Sequence, residues 1–298
     1  MLESLSRSRI GMRMALSVGR AVPKRAAAPI IRFATDRFIG DGTTELARAS
    51  RLNQWVASGR TLAGEALDEA VRANVGMMAR FLYDLYHVLG DTDAEDDLIV
   101  RDETFLSFVE REKREGPFVY TGAHFGNFDL VGRALGRSGW TMQLLSVAGP
   151  NAGYEWQNDY RAEAGFDVTP VSVESLKQAA RRLDAGRSVL TGHDRPLIRP
   201  DKVMPHFFGH AAPMPLLHVR LAMRAKVPVI VLCGPRDSDG RYRLAASDPI
   251  PMIGDKPTPE TLLVNAERCL APVEKWITEA PAQWAMPHRV WPDLAIPE

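Results

Sequence analysis

Apolar positions recur at helical spacing through the first part of the chain. Leu62, Ala66, Leu67, Ala70, Val71, Val75, Met78, Ala79, Leu82 and Leu85, with the polar Asn74 among them, follow the rhythm of one helix face, and strand signals are few before residue 90. Gly90-Asp91 ends this region, and the acids Asp93, Glu95, Asp96 and Asp97 after it predict a solvated loop. From about residue 98 short apolar runs alternate with helical stretches. Strands are expected at Phe118–Thr121, Met142–Val147, Phe166–Val171, Ser188–Thr191 and Val227–Cys233, with Tyr242–Ala245 continuing the sheet. Helices are expected at Thr104–Lys113, Leu130–Leu135, Tyr154–Ala164, Leu176–Leu183, Leu216–Ala225 and Leu262–Ile277. Val227–Cys233 is apolar at successive positions, as in a strand covered on both faces. This alternation predicts an α/β fold: a mixed, largely parallel central sheet flanked by helices, with a helical N-terminal extension.

Composition changes this picture little. The chain has 298 residues, 45% of them hydrophobic, enough for one large domain with a full core. Lys+Arg and Asp+Glu are both 37, so overall charge does not point to a nucleic-acid partner. Cys233 and Cys269 lie far apart in apolar settings and suggest neither a disulfide framework nor a zinc knuckle, which fits a reducing cytoplasmic setting. No apolar run is long enough to span a membrane. The N-terminus is nevertheless lopsided. Arg7, Arg9, Arg13, Arg20, Lys24, Arg25, Arg32 and Arg37 face only Glu3 and Asp36, and Leu2, Leu5, Met12 and Leu16 fall near one helical face. Residues 1–44 are therefore expected to form a basic amphipathic segment on an anionic membrane surface, followed by a second unit at 45–298.

Ligands in open α/β sheets collect beyond the carboxyl ends of strands. Two such ends stand out, Thr121-Gly122-Ala123-His124-Phe125-Gly126-Asn127-Phe128-Asp129 and Leu190-Thr191-Gly192-His193-Asp194-Arg195. His124 has three readings. It could be a structural histidine with one local hydrogen bond. It could be a metal ligand with His193, Asp194, His206 or His210. It could be a general base oriented by Asp129, five residues on, with Gly126 allowing the tight turn. No nucleophile elbow, phosphate-binding loop or dinucleotide glycine fingerprint accompanies it. Such a site activates an incoming nucleophile rather than forming a covalent intermediate.

The block Ala123-His124-Phe125-Gly126-Asn127-Phe128-Asp129 resembles the His-x4-Asp/Glu motif of the bacterial lipid A biosynthesis acyltransferase family. That family includes the late lauroyl and myristoyl transferases and the phosphatidylinositol mannoside acyltransferases, and it belongs with the wider glycerolipid acyltransferases. Further blocks follow in the family's order: Tyr160-Arg161 to Gly165, Thr191 to Arg195, Phe207-Phe208-Gly209 before Pro213, Val227 to Val231, and Gln283-Trp284 to Trp291. The resemblance runs from about residue 45 to 292. Phe128 stands where many members carry Trp or Tyr, and Met286 where Trp is common. The N-terminus is similar to the basic anchor of the mannoside enzymes rather than to the membrane-spanning helix of the proteobacterial ones.

The resemblance implies a membrane-associated O-acyltransferase that moves a fatty acyl chain from an acyl thioester to a hydroxyl of a glycolipid or lipid A-type acceptor. The donor would be an acyl-carrier-protein or coenzyme A thioester, with no further cofactor and no metal. The enzyme would act peripherally on the cytoplasmic face of the cell inner membrane. His124 would be the general base and Asp129 its orienting partner. Asn127, Arg161, Asp194 and Arg195 would bind substrate, the arginines by holding a phosphate or polarising the carbonyl. Phe125, Phe128, Phe207 and Phe208 could line an acyl tunnel or belong to the core. Two other classes stay open: a metal-dependent hydrolase using His124, His193, Asp194 and His206, and a non-catalytic lipid-binding protein on the same fold.

Overall fold

The computed structural model describes residues 16–39, 42, 44–199 and 201–296. The apolar positions of the basic segment before residue 16, Leu2, Leu5 and Met12 among them, lie outside the described residues. Residues 16–21 are helical, and three longer helices follow: α1 (Lys24–Ile39), α2 (Glu45–Ala57) and α3 (Gly64–Val88). The long periodic run thus folds as expected. Its buried stripe Leu67, Val71, Val75, Phe81 and Leu85 faces the rest of the molecule.

The main sheet has six strands in the order β10-β8-β2-β5-β3-β4. They are β2 (Val119–Gly126), β3 (Gln143–Ser146), β4 (Asp167–Pro170), β5 (Val189–Gly192), β8 (Val229–Gly234) and β10 (Ala245–Ala246). All neighbours pair in parallel except β10, which runs antiparallel to β8 at one edge. Helix α5 (Glu103–Glu115) precedes β2; between the strands lie α6 (Phe128–Arg137), α7 (Ala152–Glu163), α8 (Val173–Asp184), the small hairpin β6 (His206–Phe207) and β7 (His210–Ala211), and α9 (Leu217–Ala225), with α10 (Pro259–Glu279) following β10.

The period-two alternation of strands sorts the core into two layers. From β8, Val229, Val231 and Cys233 join one layer with Ala222, Val273 and Trp284. Ile230 and Leu232 join the other with Phe108, Leu135 and Trp140. In β2, Val119, Ala123 and Phe125 belong to the first layer and Tyr120 to the second. A strand apolar on both faces is what this double cover requires.

Two expectations need correction. Tyr242–Ala245 does not form one strand. β9 (Tyr242–Arg243) pairs in parallel with β1 (Ile99–Val100) in a separate ribbon, and only β10 reaches the main sheet. The acidic run is not a solvated loop either. Thr92–Asp97 forms the short helix α4, capped by the Asp91 side chain on the Ala94 amide. Glu95 is 2% exposed, and its carboxylate accepts from Arg133, Arg137 and the Gly90 amide. Arg133 is itself buried and also donates to the Tyr160 carbonyl. Glu95→Ala would strand the Arg133 charge in the core, at a cost of about 3–5 kcal/mol. Urea unfolding should show the midpoint falling with little change in slope, and an unchanged midpoint would contradict the network's role.

Candidate active site

β2 ends in the sequence that carries His124, and β5 ends just before Asp194. The two strands are adjacent and parallel, with Gly122 opposite Gly192. His124 and Asp194 each lie two residues beyond that pair, so the register sets them side by side. His124 Nδ1 lies 2.6 Å from Asp194 Oδ1, and the His124 amide donates to Asp194 Oδ2 at 2.8 Å. The buried indole N–H of Trp284 adds a third contact to the carboxylate, donating to Oδ2 at 3.3 Å. Asp194 is fully buried, whereas the His124 side chain keeps 28% of its surface open. Burial alone would raise the Asp194 pKa. The His124 charge and the hydrogen bonds from His124 outweigh it and hold the carboxyl below the usual carboxylate range.

The expected His124–Asp129 hydrogen bond is not the one observed. Gly126 has φ 69° and packs against the Gly234 carbonyl so closely that a Cβ would meet that oxygen at 1.8 Å. The chain turns there into α6, with Asn127 as its cap, and Asp129 enters the first helical turn. Its carboxylate accepts from Arg161 Nε at 2.8 Å and Nη2 at 3.2 Å, and from the Tyr160 hydroxyl at 3.0 Å. Asp129 therefore ties α6 to α7, and Arg161 spends its charge on it.

The other expected site residues divide in the same way. Asn127 is 4% exposed, donates to the Phe81 carbonyl at 3.0 Å and accepts from the Leu130 amide. Both ends of its amide serve the fold. Arg195 is not paired with Asp194. Its guanidinium lies over the Tyr154 ring, 5.1 Å from the centroid, and donates to the Tyr154 hydroxyl. Phe125 and Phe207 are core residues, 2% and 0% exposed. Phe128 stands edge-on to His124 with ring centroids 5.1 Å apart. His206 binds Glu267 rather than His124, and no three metal-ligating side chains gather among the described residues.

The C-terminal block is built into this site. The Ala285 amide donates to the His124 carbonyl at 2.7 Å, and Phe125 bridges to Trp284. Asn74 of α3 donates to the Trp284 carbonyl and Asn53 of α2 to the His288 carbonyl, each at 2.8 Å. Desolvation, then the Arg195 charge, then His124 push the His288 pKa down to about 4. Beside Tyr160, a cavity of about 450 Å³ opens between Trp156, Glu163, Leu89 and the N-terminal residues Leu16 and Arg20. The N-terminal segment thus reaches the helix that carries the Asp129 clamp.

A model of the bacterial lipid A biosynthesis acyltransferases matches residues 87–292, which include β2, β5 and the C-terminal block. The chain belongs to this family. It is an acyltransferase that acts on a lipid acceptor. A comparison with curated proteins found no match. Residues 45–86, which include the asparagines that pin the C-terminal block, lie outside the matched stretch. No helix among the described residues is long and apolar enough to cross a membrane.

The acyltransferase also buries two histidines behind the dyad, His193 and His218, at 0% and 1% exposure with ring centroids 5.3 Å apart. Burial pushes the His193 pKa down to about 4, and that of His218 well below its ordinary value. In the unfolded chain both would take up a proton near pH 6.5. Between pH 6.5 and about 4 the unfolded state binds more protons, so stability falls as pH falls through that window. His193 alone should contribute roughly 3 kcal/mol of this loss. Urea titrations at several pH values should show the slope, and His193→Leu should flatten it. An equally steep slope in that variant would contradict the assignment.

Proposed function

We propose that the enzyme transfers an acyl chain from a thioester to a hydroxyl of a membrane glycolipid, with His124 as general base and Asp194 as its orienting partner. The observation that carries this reading is the His124–Asp194 pair in an acyltransferase. With Nδ1–H given to Asp194, Nε2 is the basic nitrogen, on a ring that is partly open. It takes the proton of the acceptor hydroxyl as that oxygen attacks the thioester carbonyl. The tetrahedral intermediate expels the thiolate, which recovers the proton from the imidazolium and leaves as thiol. Asp194 steadies the imidazolium between these steps.

The oxyanion needs donors. The amides of Phe128 and Asp129 stand in the first turn of α6, where no carbonyl four residues back belongs to the helix, and the helix dipole adds positive potential. The Asp129–Arg161 clamp holds that first turn in place. Arg195, stacked on Tyr154 beside the dyad, is suited to a phosphate of either substrate. The donor is an acyl-carrier-protein or coenzyme A thioester, and the basic N-terminus draws the enzyme to the cytoplasmic face of the inner membrane.

The test is to incubate the purified enzyme with acyl thioesters and a bacterial membrane-lipid extract and to follow the lipids by mass spectrometry. A glycolipid in which one hydroxyl hydrogen is replaced by an acyl group, matched by one free thiol, is expected. Release of thiol with only free fatty acid would contradict the transfer reaction.

A further inference from the structure

The carboxyl end of the sheet carries exposed apolar side chains around the site. Val147 follows β3 and is 39% exposed, and Val173 opens α8 after β4 and is 72% exposed. Leu197 and Ile198 follow β5 at 37% and 99% exposure. Strands β5, β3 and β4 are neighbours and parallel, so all three connections leave the sheet at the end where β2 delivers His124. Ile198 lies only four residues beyond the buried Asp194. The Leu197 amide is pinned to the Pro213 carbonyl at 2.7 Å, and Arg195 is held by Tyr154. The loop is fastened at its base and projects an isoleucine into solvent. In water an exposed isoleucine gains nothing for the folded state.

The charges around these side chains are one-sided. Arg199 and Lys202 are exposed, and the acid between them, Asp201, is paired with Arg220 at 2.9 Å. Beside Val173, Glu174 is paired with Arg181 at 3.1 Å. The connection after β3, residues 147–151, holds no charged residue. An apolar rim with exposed cations matches an anionic bilayer, whose headgroups attract the cations and whose acyl region accepts the apolar side chains. A spread across three separate connections suits a broad, flat partner better than a groove-binding one.

We propose that this rim, led by Leu197 and Ile198, rests on an anionic phospholipid bilayer and opens the His124 site toward the membrane. The acceptor lipid then enters from the bilayer without crossing water. This deepens the reading of the enzyme as a transferase acting on a membrane lipid and rests on it for the acceptor only.

The experiment compares the full chain with Leu197→Asp/Ile198→Asp in binding to phosphatidylcholine vesicles with and without phosphatidylglycerol. Removing two apolar side chains from the bilayer should weaken binding to the anionic vesicles by about tenfold or more. Ile198 is 99% exposed, so Ile198→Asp alone should leave thermal unfolding unshifted and serves as the folding control, with weaker binding to the anionic vesicles expected of it too. In a second measurement, Ile198→Cys labelled with an environment-sensitive fluorophore should shift to the blue on the anionic vesicles. The native thiols, Cys233 and Cys269, are buried and should escape the label. Unchanged vesicle binding in the double variant, or a label that stays in water, overturns the proposal. So does a variant that keeps vesicle binding but needs more acyl carrier protein for half-maximal rate, because the loop would then dock the donor protein. His124→Ala is the separate arm: it should bind vesicles normally, and its residual transfer reports on the reaction independently of the rim.

Discussion

His124→Ala should lower acyl transfer by about 10² to 10⁴, the range a positioned general base supplies. The side chain is 28% exposed and hydrogen-bonds Asp194, so the variant should fold and keep its secondary structure. The loss should fall on the maximal rate rather than on half-saturation, because the base acts on the hydroxyl only as it attacks. Steady-state rates with a detergent-solubilised acceptor would show it. A variant with near-normal turnover would remove His124 from the mechanism.

Asp194→Asn should be nearly as damaging, by roughly 10³, although it changes one atom. Asparagine turns an amide N–H₂ toward His124 or the His124 backbone amide, where the carboxylate accepts at both of its oxygens. With the Asn carbonyl kept on the His124 amide and its N–H₂ on Nδ1, the ring holds its proton on Nε2, which cannot accept the acceptor's proton. Asp129→Asn separates the two carboxylates. It weakens the bidentate hold on Arg161 and the link to Tyr160, so it should cost stability first and rate second. Arg161 is 16% exposed, and loss of its countercharge leaves a poorly solvated cation. If Asp129→Asn abolished transfer at full stability while Asp194→Asn kept it, the two roles would be reversed.

Much of the fold was legible because the central strands β2, β5 and β8 open on apolar runs and the helices around them have clear periodicity. The same reasoning located both strand ends that make the site. It could not pair them, because His124 and Asp194 are 70 residues apart and meet through the register of β2 on β5. A signal was present. Thr121-Gly122-Ala123-His124 and Thr191-Gly192-His193-Asp194 repeat one pattern, and parallel strands in matching register bring their fourth positions together. Asp129 drew attention because it is near His124 in sequence, but Gly126 turns the chain between them and sends the carboxylate to α7. Glu95 misled for a related reason: an acidic run reads as solvated until its cations, Arg133 and Arg137, arrive from a helix about forty residues later. Trp284 was visible as part of a motif, yet its contact with Asp194 spans 90 residues and leaves no local trace.

Catalysis requires His124 and Asp194 to work as one unit. The measurement that tests this most directly is the acyl-transfer rate of the double variant His124→Ala/Asp194→Asn beside each single variant. Groups that act through one another do not add, so the double variant should be no slower than His124→Ala alone. A double variant slower by the product of the two single losses would mean that Asp194 acts independently of His124, and would contradict the dyad.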